Sequence, residues 1–183
     1  MKTAGLILLI LVLGLGIGAY IDGTRLPADH SVNVTAVVPA PPDKVFALIT
    51  NVAKGAEWRP EVKSVTVLHD QKNDHWVEHL KYGQFMTFLA VRTDPVDSAL
   101  PAAGPDTVIA RRDVQLDDPK AAYGGTWTYR LSPGPTPGAT TLSITETGYI
   151  KPPIYRFVMA HVVGPTHNLD QYMKDMEAAA AKP

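Results

Sequence analysis

The 183-residue sequence contains no cysteine. That absence removes disulfides, thiolate metal sites and a cysteine nucleophile, and leaves the redox compartment unread. An excess of one charge is missing too: 17 Lys and Arg stand against 18 Asp and Glu, a formal net charge of −1. Apart from Arg111 and Arg112 no basic residues run together, so the electrostatic footprint of a nucleic-acid binder is lacking and no nucleic acid is expected as a partner. There is no His-Glu-x-x-His pattern, and His69, His75, His79 and His167 show no metal-ligand spacing, so neither a metal nor any other cofactor is expected. No Ser or Asp sits in a nucleophile elbow or a recognisable triad context, so covalent catalysis has no support and no catalytic residue is assigned. Internal repeats and low-complexity tracts are absent, and the length suits one ordinary domain with a short appendage.

What is present begins with a core. Hydrophobic residues make up 45% of the chain and charged residues 19%, enough apolar material for a folded domain. From Ala4 to Ile21 the sequence is unbroken apolar residue or glycine. As a helix this run would be about 27 Å long, close to the thickness of a bilayer core. Residues 1–22 are therefore expected to form an N-terminal transmembrane anchor, 23–29 a linker and 30–181 the folded domain. Lys2 and the amino terminus supply a positive flank, which leaves the N-terminus in the cytosol and the domain extracytoplasmic, in the periplasm if the source is bacterial. The alternative is a signal peptide cleaved near Ile17-Gly18-Ala19, which would make the protein secreted. Gly14 and Gly18 form a Gly-x-x-x-Gly pair that suits a weak homodimer, although glycines are also common in membrane helices for no such reason.

In the folded part, Val32, Val34, Ala36 and Val38 alternate with polar residues, the period of a half-buried strand. Pro39, Pro41 and Pro42 stop it. Pro42 and Asp43 suit the first turn of a short helix with Val45, Leu48, Ile49 and Val52 on one stripe, and a further turn or two leads to Trp58 before Pro60. Six more strands are expected at Val62–His69, His75–Tyr82, Gln84–Thr93, Thr107–Val114, Tyr123–Ser132 and Ala139–Ile150, separated by turn residues. After Pro152-Pro153 comes a helical pattern with Ile154, Val158, His161, Leu169, Tyr172 and Met176 on one face, kinked or broken at Gly164-Pro165.

That order and its residues resemble a known family. VPAPPDKVFALITNVAKGAEWRPEVKSVTVL (Val38 to Leu68) resembles the opening of the polyketide cyclase/dehydrase and lipid-transport family of the START-like (SRPBCC) superfamily. GGTWTYRL (Gly124 to Leu131) and TTLSITETGYI (Thr140 to Ile150) are similar to its last hairpin, and the resemblance spans roughly Ser31 to Ala180. It implies an α+β helix-grip fold: a seven-stranded curved antiparallel sheet wrapped around a long C-terminal helix, with a hydrophobic tunnel between. It implies no particular reaction, because the superfamily mixes carriers, cyclases and domains of unknown role.

A curved sheet cannot fill its own concave face, so the space under the helix is the expected binding cavity. Pairing the last hairpin about Pro133–Gly138 sets Trp127 opposite Ile144, Tyr129 opposite Leu142 and Glu146 opposite Gly125, all facing inward. Pairing the preceding strand sets Ala110 opposite Trp127 and Arg112 opposite Gly125. Arg112 and Glu146 would then meet across Gly125, either as a plain ion pair or against a ligand's polar end. The expected ligand-binding residues are Arg112, Trp127, Tyr129, Glu146, His161 and Trp76, with Trp58 and Trp76 open to a role as core aromatics and His161 to one as a hydrogen-bonded core histidine. The expected partner is an apolar small molecule or lipid, with the membrane met through residues 4–21. The alternative is a cyclase or dehydratase in which Arg112 and Glu146 or His161 orient and protonate a polyketide-like substrate.

Overall fold

A computed structural model describes residues 2–70, 74–97, 107–118 and 120–182. Parts of the turns expected at Asp70–Asp74, Asp94–Asp106 and Asp117–Lys120 lie outside these residues.

The apolar run forms helix α1 (Lys2–Arg25), whose large side chains are exposed. Among the described residues Gly5–Arg25 is the one helix long and apolar enough to cross a membrane, a criterion of length and composition that a signal sequence also meets. Gly23 to Arg25, expected as linker, continue the helix. Its end is docked: Gly23 is buried so tightly on Pro153 that a Cβ would overlap the Pro153 carbonyl, and Arg156 Nη1 donates to the Leu26 carbonyl at 2.9 Å.

Strand β1 (Asp29–Val38) follows, then α2 (Pro42–Thr50), a 3-10 turn (Val52–Lys54) and the single-turn α3 (Gly55–Trp58). Pro42 opens α2 where its missing N–H has no partner to lose, and Val45 and Ile49 face the core one turn apart. Six strands continue the sheet: β2 (Val62–Leu68), β3 (His75–Leu80), β4 (Phe85–Asp94), β5 (Ala110–Leu116), β6 (Tyr123–Pro133) and β7 (Thr140–Ile150). The order β1-β7-β6-β5-β4-β3-β2, antiparallel throughout, pairs the first strand with the last. Helix α4 (Pro153–Val158) passes into a π turn (Met159–Val163), and after Gly164-Pro165 the chain re-enters a helix, α5 (His167–Ala180). Leu169, Tyr172, Met173 and Met176 of α5 pack on the concave face with Val38, Leu131, Leu142 and Ile144 to form the core.

The seven strands fall where expected, but the register of the last three differs. Trp127 faces Glu146 rather than Ile144, Tyr129 faces Ile144 rather than Leu142, and Gly125 faces Gly148 rather than Glu146, a displacement of two residues. Between β5 and β6 the displacement is four: Ala110 faces Leu131 and Arg112 faces Tyr129. Even displacements keep every side chain on its face, so Arg112, Trp127, Tyr129 and Glu146 still point inward. The row Arg112–Gly125–Glu146 does not form. Gly125 serves the backbone instead of leaving room between charges: it sits at φ +154° against Gly148, and a Cβ there would collide with the Thr147 carbonyl and come within 2.6 Å of Gly148 Cα.

The single stripe expected along the C-terminal helix is also corrected. Leu169, Tyr172 and Met176 are buried, but Ile154 and His161 are exposed. The π turn adds a residue to one helical cycle, and Gly164 at φ +99° turns the axis, so helical phase does not carry from α4 to α5.

Candidate functional site

On the inner face of the sheet, tryptophan and tyrosine from β6 meet α3 and α5. Trp127 and Tyr129 project two residues apart on β6, their centroids 6.2 Å from each other. Each ring lies 5.6 Å from Tyr172 of α5, and Trp58 of α3 meets the other side of Tyr172 edge-on at 5.2 Å. Edge-to-face and tilted arrangements at this spacing suit the quadrupoles of the rings. Rings therefore occupy the centre of the space where the sequence suggests an open tunnel. Two concavities lie elsewhere. One of about 290 Å³ lies between α2 and the end of α5, bounded by Lys44, Leu48, Asn51, Trp58 and Ala179; the other, about 520 Å³ and shallow, follows His30, Gly125, Gly148 and Tyr149. Neither reaches Arg112, Trp127, Tyr129 or Tyr172.

Two arginines reach this face. Arg59, directly after α3, grips Glu78 of β3 with both terminal nitrogens (2.7 and 2.9 Å), donates from Nε to Glu61 at 2.9 Å, and lies 5.5 Å from the Tyr172 centroid. Trp76 Nε1 donates to the same Glu78 carboxylate at 3.2 Å. Burial alone would make Arg59 easier to deprotonate; Glu78, by charge and hydrogen bond, with Tyr172 and Glu61, more than reverses this and holds the guanidinium above its ordinary value. The two tyrosines move the same way. Burial is the main cause at each: Tyr129 is held well above the usual tyrosine range, and Tyr172 is pushed up to about 12, against the opposing effect of the Arg59 charge.

Arg112 of β5 is fully buried. Its Nη1 donates to Asp74 Oδ2 at 3.2 Å, and its guanidinium lies 5.7 Å from the Trp76 ring centroid. Its Nε and Nη2 have no hydrogen-bond partner among the described residues. A buried donor left unmade costs about 1–3 kcal/mol, more when charged.

Five of the six residues singled out in the sequence, Arg112, Trp127, Tyr129, Trp76 and Glu146, thus lie on the inner face. Trp76 is buried and stacks on Phe88 at 5.6 Å. Glu146, paired with Trp127, meets His30 Nε2 at 3.4 Å and not Arg112. His161 does not join them: it is exposed, lies 2.9 Å from Asp22 of α1 and packs on Phe157. The sequence reading did not single out Arg59 or Glu78. Glu78 was accessible to it, because strict alternation along β3 places Trp76 and Glu78 on one face; Arg59, in a turn, carries no periodic signal.

Seven antiparallel strands folded around a C-terminal helix, with an apolar inner face between them, define the helix-grip class. Residues 29–179 match the family described as polyketide cyclase / dehydrase and lipid transport, and the chain belongs to that family. No curated protein matches it. Among solved structures, a START superfamily protein from Mycobacterium smegmatis aligns at 15% identity over 82% of this chain and 97% of that one, with a TM-score of 0.56. The Zhui aromatase/cyclase from Streptomyces sp. R1128 aligns at 16% identity over 83% and 93% of the two chains, TM-score 0.59. Norcoclaurine synthase from Thalictrum flavum aligns at 11% identity over 89% and 92%, TM-score 0.58. At these identities the likeness is one of fold.

Proposed function

We propose that this domain binds a hydrophobic molecule, a lipid, isoprenoid or polycyclic compound, between the inner face of the sheet and α5, while α1 tethers it to a membrane on the extracytoplasmic side. The observation that carries this reading is the cluster of Trp58, Trp127, Tyr129 and Tyr172. It provides flat apolar faces on side chains with only two rotatable bonds each, which part or close at small entropic cost. The family's description supports the same ligand class. The apolar length of α1 supports the tether, which would keep the domain where such molecules partition.

Extraction of the purified full-length chain with organic solvent, followed by mass spectrometry, tests the reading. A co-purifying apolar molecule in near-stoichiometric amount is the expected result. A chain that carries none, and takes up none from a panel of lipids and polycyclic aromatics, would overturn it.

A second reading keeps the cyclase or dehydratase chemistry. It is favoured by the Tyr129–Tyr172 pair, two hydroxyls that stay protonated far above neutral pH beside Arg59 and so remain hydrogen-bond donors to a substrate oxygen. Conversion of a bound polyketide-like compound, lost in Tyr129→Phe, would select it.

A further inference from the structure

We propose that Arg112 is the receptor for a carboxylate at one end of the bound molecule, so that the ligand is an aromatic or alicyclic acid lying with its apolar body along Trp76, Tyr129 and Tyr172. The proposal rests on the hydrophobic-ligand reading above and specifies its polar end.

The geometry of the free donors is the first argument. Asp74 takes Nη1, which leaves Nε and Nη2, the two nitrogens on one edge of the guanidinium. That edge presents two parallel N–H groups at the spacing of the two oxygens of a carboxylate. Both donors are buried and unpartnered, a costly state for a charged group that one bidentate anion would relieve in full.

Charge selects the anion. Arg59, the other cation on this face, is already matched by Glu78 and Glu61. Among the described residues Arg112 is ion-paired with Asp74 alone, whose side chain is more than half exposed and therefore well hydrated. Arg112 with Asp74 carries no net charge and Arg59 is more than matched, so the free guanidinium edge suits a singly charged carboxylate better than a doubly charged phosphate.

Position supplies the third argument. Arg112 faces Tyr129 across the β5–β6 pairing and lies over Trp76, and the ring of Tyr172 touches that of Tyr129. A carboxylate on the free edge would bring the body of the molecule among these rings. Because the rings now touch one another, entry requires them to part, and tryptophan fluorescence should report it.

The test uses the full-length chain in lipid nanodiscs, titrated with 1-naphthoate, its neutral isostere 1-naphthamide and 1-naphthyl phosphate, with tryptophan fluorescence as readout. The expected result is that naphthoate binds about tenfold to a hundredfold more tightly than naphthamide. Arg112→Gln should abolish that preference and leave naphthamide affinity unchanged, and Arg112→Lys, which keeps the charge without the fork and guards against a folding defect in the first variant, should restore part of it. Equal binding of acid and amide by the unaltered chain, or an equal loss of both in Arg112→Gln and Arg112→Lys, would overturn the carboxylate receptor while leaving the hydrophobic site standing. Tighter binding of the phosphate would overturn the choice of anion. Failure of all three probes to bind would count against the hydrophobic-ligand reading itself and remove the clamp with it.

Discussion

The ring of Tyr129 tilts against that of Tyr172 with centroids 5.6 Å apart, joining β6 to α5 inside the aromatic cluster. Both rings are buried, and the phenolate of neither is tolerated there. Tyr172 titrates in the folded state at about 12 against 10.0 for the free side chain, so between those values the native state holds protons that the unfolded chain has released. Stability contributed by this group is complete below pH 10 and falls as the pH rises toward 12. Urea denaturation followed by circular dichroism from pH 8 to 12 should show that loss, and Tyr172→Phe should make it shallower. An unchanged slope in the variant would count against the assignment.

The Arg59–Glu78 pair is buried on its acidic side and doubly hydrogen-bonded. Glu78→Gln should destabilise the fold by about 3 kcal/mol, because the partner charge is left inside with fewer acceptors, whereas replacing both residues by apolar ones of similar size should cost less than the single change. Chemical denaturation of the single and double variants measures the difference.

Gly125 and Gly83 separate backbone strain from collision. Both have positive φ, but a Cβ on Gly83 meets nothing within 4 Å, whereas one on Gly125 runs into the neighbouring strand. Gly83→Ala should cost about 1 kcal/mol and Gly125→Ala roughly twice that or more, read as shifts in denaturation midpoint. Similar costs at both positions would mean that the β6–β7 approach is looser than the Gly125–Gly148 pairing indicates.

The proposed tether has a direct assay. In a membrane preparation washed with alkaline carbonate, the full-length chain should stay in the pellet, and an otherwise identical chain lacking residues 2–21 should be released. Release of both would remove the anchor from the proposal.

Much of this fold was legible because strands announce their faces with a period of two. Trp127, Tyr129 and Arg112 were assigned to the inner face with pairings that were wrong by two and four residues, and the assignment survived because even displacements do not turn a strand over. What the pattern could not give was the centre of each turn: the segment Pro133–Gly138 is rich in residues that accept any of several turn positions. The row of contacts depends on that centre, so the predicted meeting of Arg112 with Glu146 failed while both residues kept their side. His161 failed for a different reason. Helical phase is reliable only along an unbroken axis, and His161 sits within the π turn, with Gly164 at positive φ between it and the buried stripe of α5. Arg59 was missed because turns carry no period at all.

The join between α1 and α4 limits how the domain can be oriented. Gly23 pressed on Pro153, together with the bond from Arg156 to Leu26, ties the end of the apolar helix to α4. A chain held by such a helix could not tumble on a string; its tilt would dictate which side of the domain looks at the lipid, and the side next to the join carries the exposed Tyr155, Val162 and Val163. Lengthening the connection by a few flexible residues would release that constraint without touching the interior of the domain.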